Sequence, residues 1–214
     1  MEFVEVLIKS IVENKDMPKV QVEREISPIL DIFMKDILNN TIGNGNNSFE
    51  HIMSEFPIQS LKKEENKLTN RSVNIDNLYL KDRDTLVFIE LKTDNTSYRI
   101  DQTIRYINLL NKINNQSASF CFEFLEKLSK KSSKKDKYKI ALHRIEEKFD
   151  LNQLKAIKKT QLVYIVPSKI QKKIEKESGI TNIINFTQVS NINVKEYKNE
   201  WKIIAEYLKD LDEN

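Results

Sequence analysis

Asp76 and Glu90 lie fourteen positions apart, and Lys92 follows the glutamate by two. All three interrupt apolar stretches, 73–80 and 85–93, that otherwise read as buried strands. A charge in such a stretch needs a partner or a metal. Strand alternation turns Glu90 and Lys92 to one face and Ile89 and Leu91 to the other. Asp76 joins them only in one register. If Leu80 pairs with Leu86 across a five-residue loop, Asp76 falls opposite Glu90; a four-residue loop pairs it with Ile89 instead. The register that joins the two acids is the one expected.

Two neighbouring carboxylates repel each other and stay ionised most easily around a hard cation. Mg²⁺ (or Mn²⁺) takes carboxylate and water oxygens and suits phosphate substrates. The main-chain carbonyl of Leu91 is a candidate further ligand. Lys92 would hold a water or stabilise developing negative charge. The alternative is an ion-paired hairpin, with Glu90 and Lys92 on a wet face and Asp76 near a turn.

The flanking elements follow from periodicity. Helices are expected over 2–13 (Phe3, Val6, Leu7, Ile11) and over 21–38, where Ser27 and Pro28 offer an alternative start. Ile29, Leu30, Ile32, Phe33, Ile37 and Leu38 form the expected apolar face of the second helix. A loop covers 39–48, a short helix 49–55, and an exposed, charged connection runs to Thr69. Strands are expected at 72–80 and 85–92. The helix expected over 99–113 sets Ile100, Ile104, Ile107 and Leu110 on its apolar face, and another runs over 118–128. A lysine-rich loop then extends to about 137, followed by helices at 139–149 and 151–158. A strand at 161–167, a helix at 168–177, an edge strand at 183–186 and a helix at 195–211 complete the reading. Tyr197, Trp201, Ile204, Ala205 and Leu208 form the last helix's apolar stripe. The result is one α/β domain, a small mixed β-sheet flanked by helices.

Composition narrows the class. The chain has 214 residues, 39% hydrophobic and 31% charged, with three glycines and four prolines, which argues against a loop-built or repetitive architecture. No apolar run approaches the roughly 20 residues of a membrane span, and MEFVEVLIKSIVENK does not read as a signal peptide. One cysteine, Cys121, fits a reducing, cytoplasmic setting and a structural thiol. His51 and His143 lack zinc-site spacing, and Gly43-Asn44-Gly45 is no phosphate-binding loop of the ATPase kind. Net charge is only +3, but Lys127 to Lys139 hold seven lysines and one aspartate. Such a cluster could neutralise phosphates or simply form a solvated surface.

With Asp76 in Asn74-Ile75-Asp76 and Glu90-Leu91-Lys92 in the next strand, the chain resembles the PD-(D/E)XK nuclease superfamily. That family sets an acid at the start of one strand and Glu-x-Lys in its hairpin partner; Asn74-Ile75 stands where proline usually precedes the acid. The resemblance implies a restriction-endonuclease-like core of helix, three strands, helix and strand. The third strand lies either at 96–98 or before Asp76. On this reading 1–214 is a single nuclease domain, with a helical N-terminal region (1–56) and a C-terminal helical extension (168–214).

The resemblance also implies roles. Gln102, in Asp101-Gln102-Thr103-Ile104-Arg105-Tyr106, would face the active centre, and Arg105 would contact phosphate. A glutamate from an N-terminal helix would join the site, with Glu25 ahead of Glu50 and Glu23. Lys130, Lys131, Lys134 and Lys135 would grip the nucleic-acid backbone. The implied activity is Mg²⁺-dependent cleavage of nucleic acid, DNA first, by an endonuclease or exonuclease; many relatives act as homodimers. Two other readings stand beside it: a nuclease-like module that binds nucleic acid or protein without cutting, and a small interaction protein whose hairpin charges are surface ion pairs.

Overall fold

The computed structural model describes Val4, Leu7, Ile8, Ile11, residues 22–43, Gly45, 47–61, 68–94 and 97–213. Their order is α1 (Val22–Thr41), β1 (Phe49–Leu61), β2 (Leu68–Lys81), β3 (Thr85–Leu91), α2 (Ile100–Asn115), α3 (Ser119–Lys131), α4 (Lys135–Glu146), α5 (Leu151–Ala156), β4 (Lys159–Val166), α6 (Ser168–Ser178), β5 (Ile183–Asn185), α7 (Phe186–Ser190) and α8 (Lys198–Glu213). The strands form one mixed five-stranded sheet in the order β1-β2-β3-β4-β5, with helices flanking it. β2 and β3 are antiparallel, whereas β4 and β5 are parallel and joined through α6.

Chain contacts divide the protein into two compact units. The first comprises Met1–Phe49, Leu91–Ile100 and Val163–Asn214; the second comprises Glu50–Glu90 and Asp101–Leu162.

In the first unit, α1 buries Ile26, Leu30, Phe33, Met34, Ile37 and Leu38, a stripe at i, i+4, i+7, i+8, i+11 and i+12. Ile32, expected on that face, is 63% exposed. The helix also runs through Ser27 and Pro28 rather than starting there; the buried stripe on both sides of the proline outweighs the hydrogen bond it cannot donate. Of the expected helix at 2–13, Val4, Leu7, Ile8 and Ile11 are helical and Ile8 and Ile11 are buried; Phe3 and Val6 lie outside the described residues, as do 14–20. Trp201 of α8 packs on Phe33 with ring centroids 4.7 Å apart. Trp201, Ile204, Ala205 and Leu208 are buried as expected, but Tyr197 stands before the helix, 58% exposed, with φ 55°. Asp212 of α8 accepts hydrogen bonds from the Ser168 backbone N–H, the Thr187 hydroxyl and, at 2.6 Å, the Ser168 hydroxyl. It thereby caps α6 and ties α7 to α8. α7 itself, missed in the sequence, starts with a capping box between Asn185 and Gln188. Gly179 ends α6 at φ 69°, the left-handed position that favours glycine.

In the second unit the stretch expected as a helix at 49–55 is β1. Phe49, Ile52 and Phe56 are spaced like a helix face (i, i+3, i+7), and all three are buried. Glu55 takes φ 52° inside the strand, which interrupts the alternation that would have marked it. The N-terminal region over residues 1–56 is therefore not wholly helical, and the third strand lies before Asp76. β1 is an edge strand, the position in which a strand proline such as Pro57 is tolerated.

Helix α2 buries Thr103, Tyr106, Leu109, Leu110 and Ile113, whereas Ile104 is 48% exposed. The buried face is thus rotated from the expected Ile100–Ile104–Ile107 stripe. α3 follows with Cys121, Phe122, Phe124 and Leu125 buried, Phe122 lying edge-on to Phe56 of β1 at 5.6 Å. The lysine-rich segment is not a loop but the end of α3, a three-residue connection and the start of α4. Lys155 of α5 returns to Glu126 of α3 at 2.7 Å.

Candidate active site

The hairpin tip fixes the site. Asp82 and Arg83 take φ 50° and 60°, and the Asp84 N–H returns to the Lys81 carbonyl at 3.1 Å. Two consecutive residues at positive φ make the tight turn whose twist matches a strand pair. The register that results pairs Leu80 with Leu86 and Asn77 with Ile89. Extended by one step along both strands, that register would set Asp76 across from Glu90, on the same face. Lys159 at the start of β4 reaches Asp84 at 2.5 Å; this hydrogen bond, with one from Thr85, holds the Asp84 carboxyl below its usual range.

Glu90 is 1% exposed. Its Oε1 accepts from Gln102 Nε2 at 2.9 Å, and its Oε2 from Tyr106 Oη at 3.0 Å. Gln102 Nε2 also donates to Tyr106 Oη at 2.5 Å, and Tyr106 Oη lies 3.1 Å from the Asn74 carbonyl oxygen. Gln102 and Tyr106 are one helical turn apart, which is why both reach the same carboxylate. Asp76 is half-buried. Asn74 carries on to Glu55, its Nδ2 donating to Glu55 Oε2 at 3.1 Å. All of these residues belong to the second unit.

The remaining expected site residues are distributed as follows. Leu91 and Lys92 fall in the first unit, 3% and 5% exposed, and the Lys92 N–H donates to the Ile165 carbonyl at 2.9 Å. Glu25 is exposed on α1, also in the first unit. Arg105, in the second unit, donates to Asp101 at 3.2 Å, while its Nε is buried without a hydrogen-bond partner. Lys130, Lys131, Lys134 and Lys135 are exposed around the α3–α4 junction. Tyr106 and Asn74 were not expected as ligands of Glu90 or its phenol partner; the signal for Tyr106 was its position four residues after Gln102.

Among the described residues no group of three or more His, Cys, Asp and Glu side chains could hold a metal ion. The acids that this register would bring together are two. Mg²⁺ binds in many phosphate-handling sites through one or two carboxylates, several waters and the substrate itself. By type, two carboxylates suit a hydrated Mg²⁺ rather than a closed protein cage.

A second polar cluster lies in the same unit. His51 Nε2 is 3.1 Å from Ser54 Oγ and 3.2 Å from Asn77 Oδ1, and Ser54 Oγ donates to Asn77 Oδ1 at 2.8 Å. A nucleophile triad needs its third member on the other ring nitrogen of the histidine. Here serine and asparagine both meet Nε2. The chain matches no protein-family model, no curated protein and no solved structure. No helix among the described residues is long and apolar enough to cross a membrane.

Proposed function

We propose that the chain is a Mg²⁺-dependent nuclease of the PD-(D/E)XK kind, hydrolysing phosphodiester bonds in DNA. The observation that carries this reading is Glu90: a carboxylate almost wholly removed from water and oriented by Gln102 and Tyr106 from one helix face. Removing a carboxylate from water is costly, and a stable fold gains little from it unless the group has work to do. Asp76, across the hairpin, supplies the second carboxylate. The element order also supports the reading: α1, then β1 to β3, then α2, then β4 after an insertion of α3 to α5.

Asp76 and Glu90 would hold the cation, with Gln102 and Tyr106 keeping the Glu90 carboxylate in one orientation. A bound Mg²⁺ would acidify a water and stabilise charge on a phosphoryl oxygen. Lys92, assigned from the Glu-x-Lys pattern, would orient the attacking water and stabilise the developing negative charge. Arg105 and the lysines at 130, 131, 134 and 135 would bind backbone phosphates without reading sequence. The same roles serve an endonuclease or an exonuclease, as a monomer or a homodimer.

The test is cleavage of plasmid and linear DNA with Mg²⁺ or Mn²⁺ by the wild type, Asp76→Ala and Lys92→Ala. Each substitution is expected to lower cleavage by about 10²-fold or more; unchanged cleavage in both rejects the assignment. One observation favours a second reading, a nuclease-like module that binds without cutting: the described residues offer no third acidic ligand. Calorimetry that detects DNA binding but no divalent-cation binding selects it.

A further inference from the structure

The first unit contains a groove of about 630 Å³ beside α8. Lys198, Lys202 and Lys209 line it, with Glu206, Trp201 and Asn193. None of the three lysines pairs with an acid among the described residues. Trp201 is 4% exposed, and its indole Nε1–H is buried with no acceptor. The groove thus offers three ammonium groups against one carboxylate, a cation-rich lining for a polyanion, with Trp201 in its wall.

Spacing identifies which polyanion. At 1.5 Å per residue the three lysine positions span about 16 Å along the helix. A single phosphate group engages one end of such a row; a chain of phosphates engages all of it. Glu206, between Lys202 and Lys209, is an acceptor for a sugar hydroxyl or base amino group. We infer that this groove binds the backbone of single-stranded nucleic acid, independently of the acidic hairpin and of any cleavage there.

Trp201 is the single tryptophan of the chain, so its emission reports on this groove. The full chain in EDTA, where metal-dependent cutting is off, is titrated at low salt with a fluorescein-labelled oligothymidylate of about 12 nucleotides. Anisotropy and Trp201 emission are expected to change together and saturate together. Replacing the three lysines (Lys198→Gln, Lys202→Gln and Lys209→Gln) should weaken binding about tenfold or more. It should also reduce the slope of log affinity against log salt by about 2, at roughly 0.7 per phosphate contact. The variant with Lys130, Lys131, Lys134 and Lys135 all changed to Gln should retain the Trp201 response.

Three outcomes overturn the inference: no binding; binding by anisotropy with Trp201 emission flat and the triple variant unchanged; or inorganic phosphate alone producing the full emission change. A chain that cuts DNA without a Trp201 response keeps the nuclease reading and loses the groove. A chain that responds at Trp201 and never cuts keeps the groove alone.

Discussion

Tyr106 Oη stands 3.0 Å from Glu90 Oε2 and 3.1 Å from the carbonyl oxygen of Asn74. One phenol on α2 is therefore fastened to both β2 and β3. Because it also receives Gln102 Nε2, the orientation of the Glu90 carboxylate depends on the seating of this helix as much as on the hairpin.

Tyr106→Phe keeps the buried ring and removes the oxygen. Glu90 Oε2 and the Asn74 carbonyl lose the one phenol proton they share, and the expected destabilisation is about 1–3 kcal/mol. At this chain length each kcal/mol lowers the midpoint by roughly 2–4 °C, which thermal denaturation followed by circular dichroism measures. Ile104→Ser, on the exposed face of the same helix, is expected to stay within about 0.5 kcal/mol. Equal melting of wild type and Tyr106→Phe would show that the phenol oxygen contributes nothing.

The hairpin turn carries a residue poorly suited to its backbone. Arg83 sits at φ 60°, a left-handed conformation that costs a side-chain-bearing residue about 1 kcal/mol. Arg83→Gly removes that cost while adding unfolded-state freedom, so a net gain of about 0.5 kcal/mol is expected. Arg83→Val, β-branched, should lower stability instead. Chemical denaturation of the three proteins ranks them; valine above arginine would contradict the turn geometry.

Acid should act on the first unit through Asp212. Burial works to raise its pKa, but hydrogen bonds from Ser168 and Thr187 outweigh burial and leave it below the ordinary value of 3.8. A depressed carboxylate contributes stability that is complete above that ordinary value and is lost as pH falls through the folded one. Asp212→Asn is expected to lose about 1–3 kcal/mol at neutral pH. The gap between wild type and variant should narrow below about pH 4. A gap that widens as the solution is acidified would refute the sign.

Cys121 should be inert. Burial raises its thiol to about 12 and leaves it 2% exposed. At pH 8 about one molecule in ten thousand carries the thiolate that reacts. A chromogenic disulfide reagent is expected to label it only in denaturant; rapid labelling of the native protein would show that α3 opens.

Much of this arrangement could be read from residue order, and the failures have physical causes. The sequence left two registers open, and the observed pairing of Leu80 with Leu86 is the one favoured for joining the two acids. The helix with Gln102 was legible, but its buried face was not. Tyr106 and Thr103 face inward while Ile104 faces water, so apolarity alone pointed to the wrong stripe. Strand β1 was hidden by helix-like spacing of Phe49, Ile52 and Phe56 and by the turn of the backbone at Glu55. The lysines at 130–135 looked like a loop because few apolar residues mark α4, where Ile145 is the buried one. Lys198, Lys202 and Lys209 share their helix with Glu200, Glu206 and Asp210, so no charge run marks the row in the sequence; only the groove separates the residues that line it.

The bonds on Asp212 reach back 44 residues to Ser168 and 25 to Thr187. On a ribosome, which releases the chain from its N-terminal end, helix α6 must wait for α8 before its first turn acquires this acceptor. The N-terminus of α6 and the docking of α7 are therefore completed only once α8 has emerged, not as each segment leaves the exit tunnel.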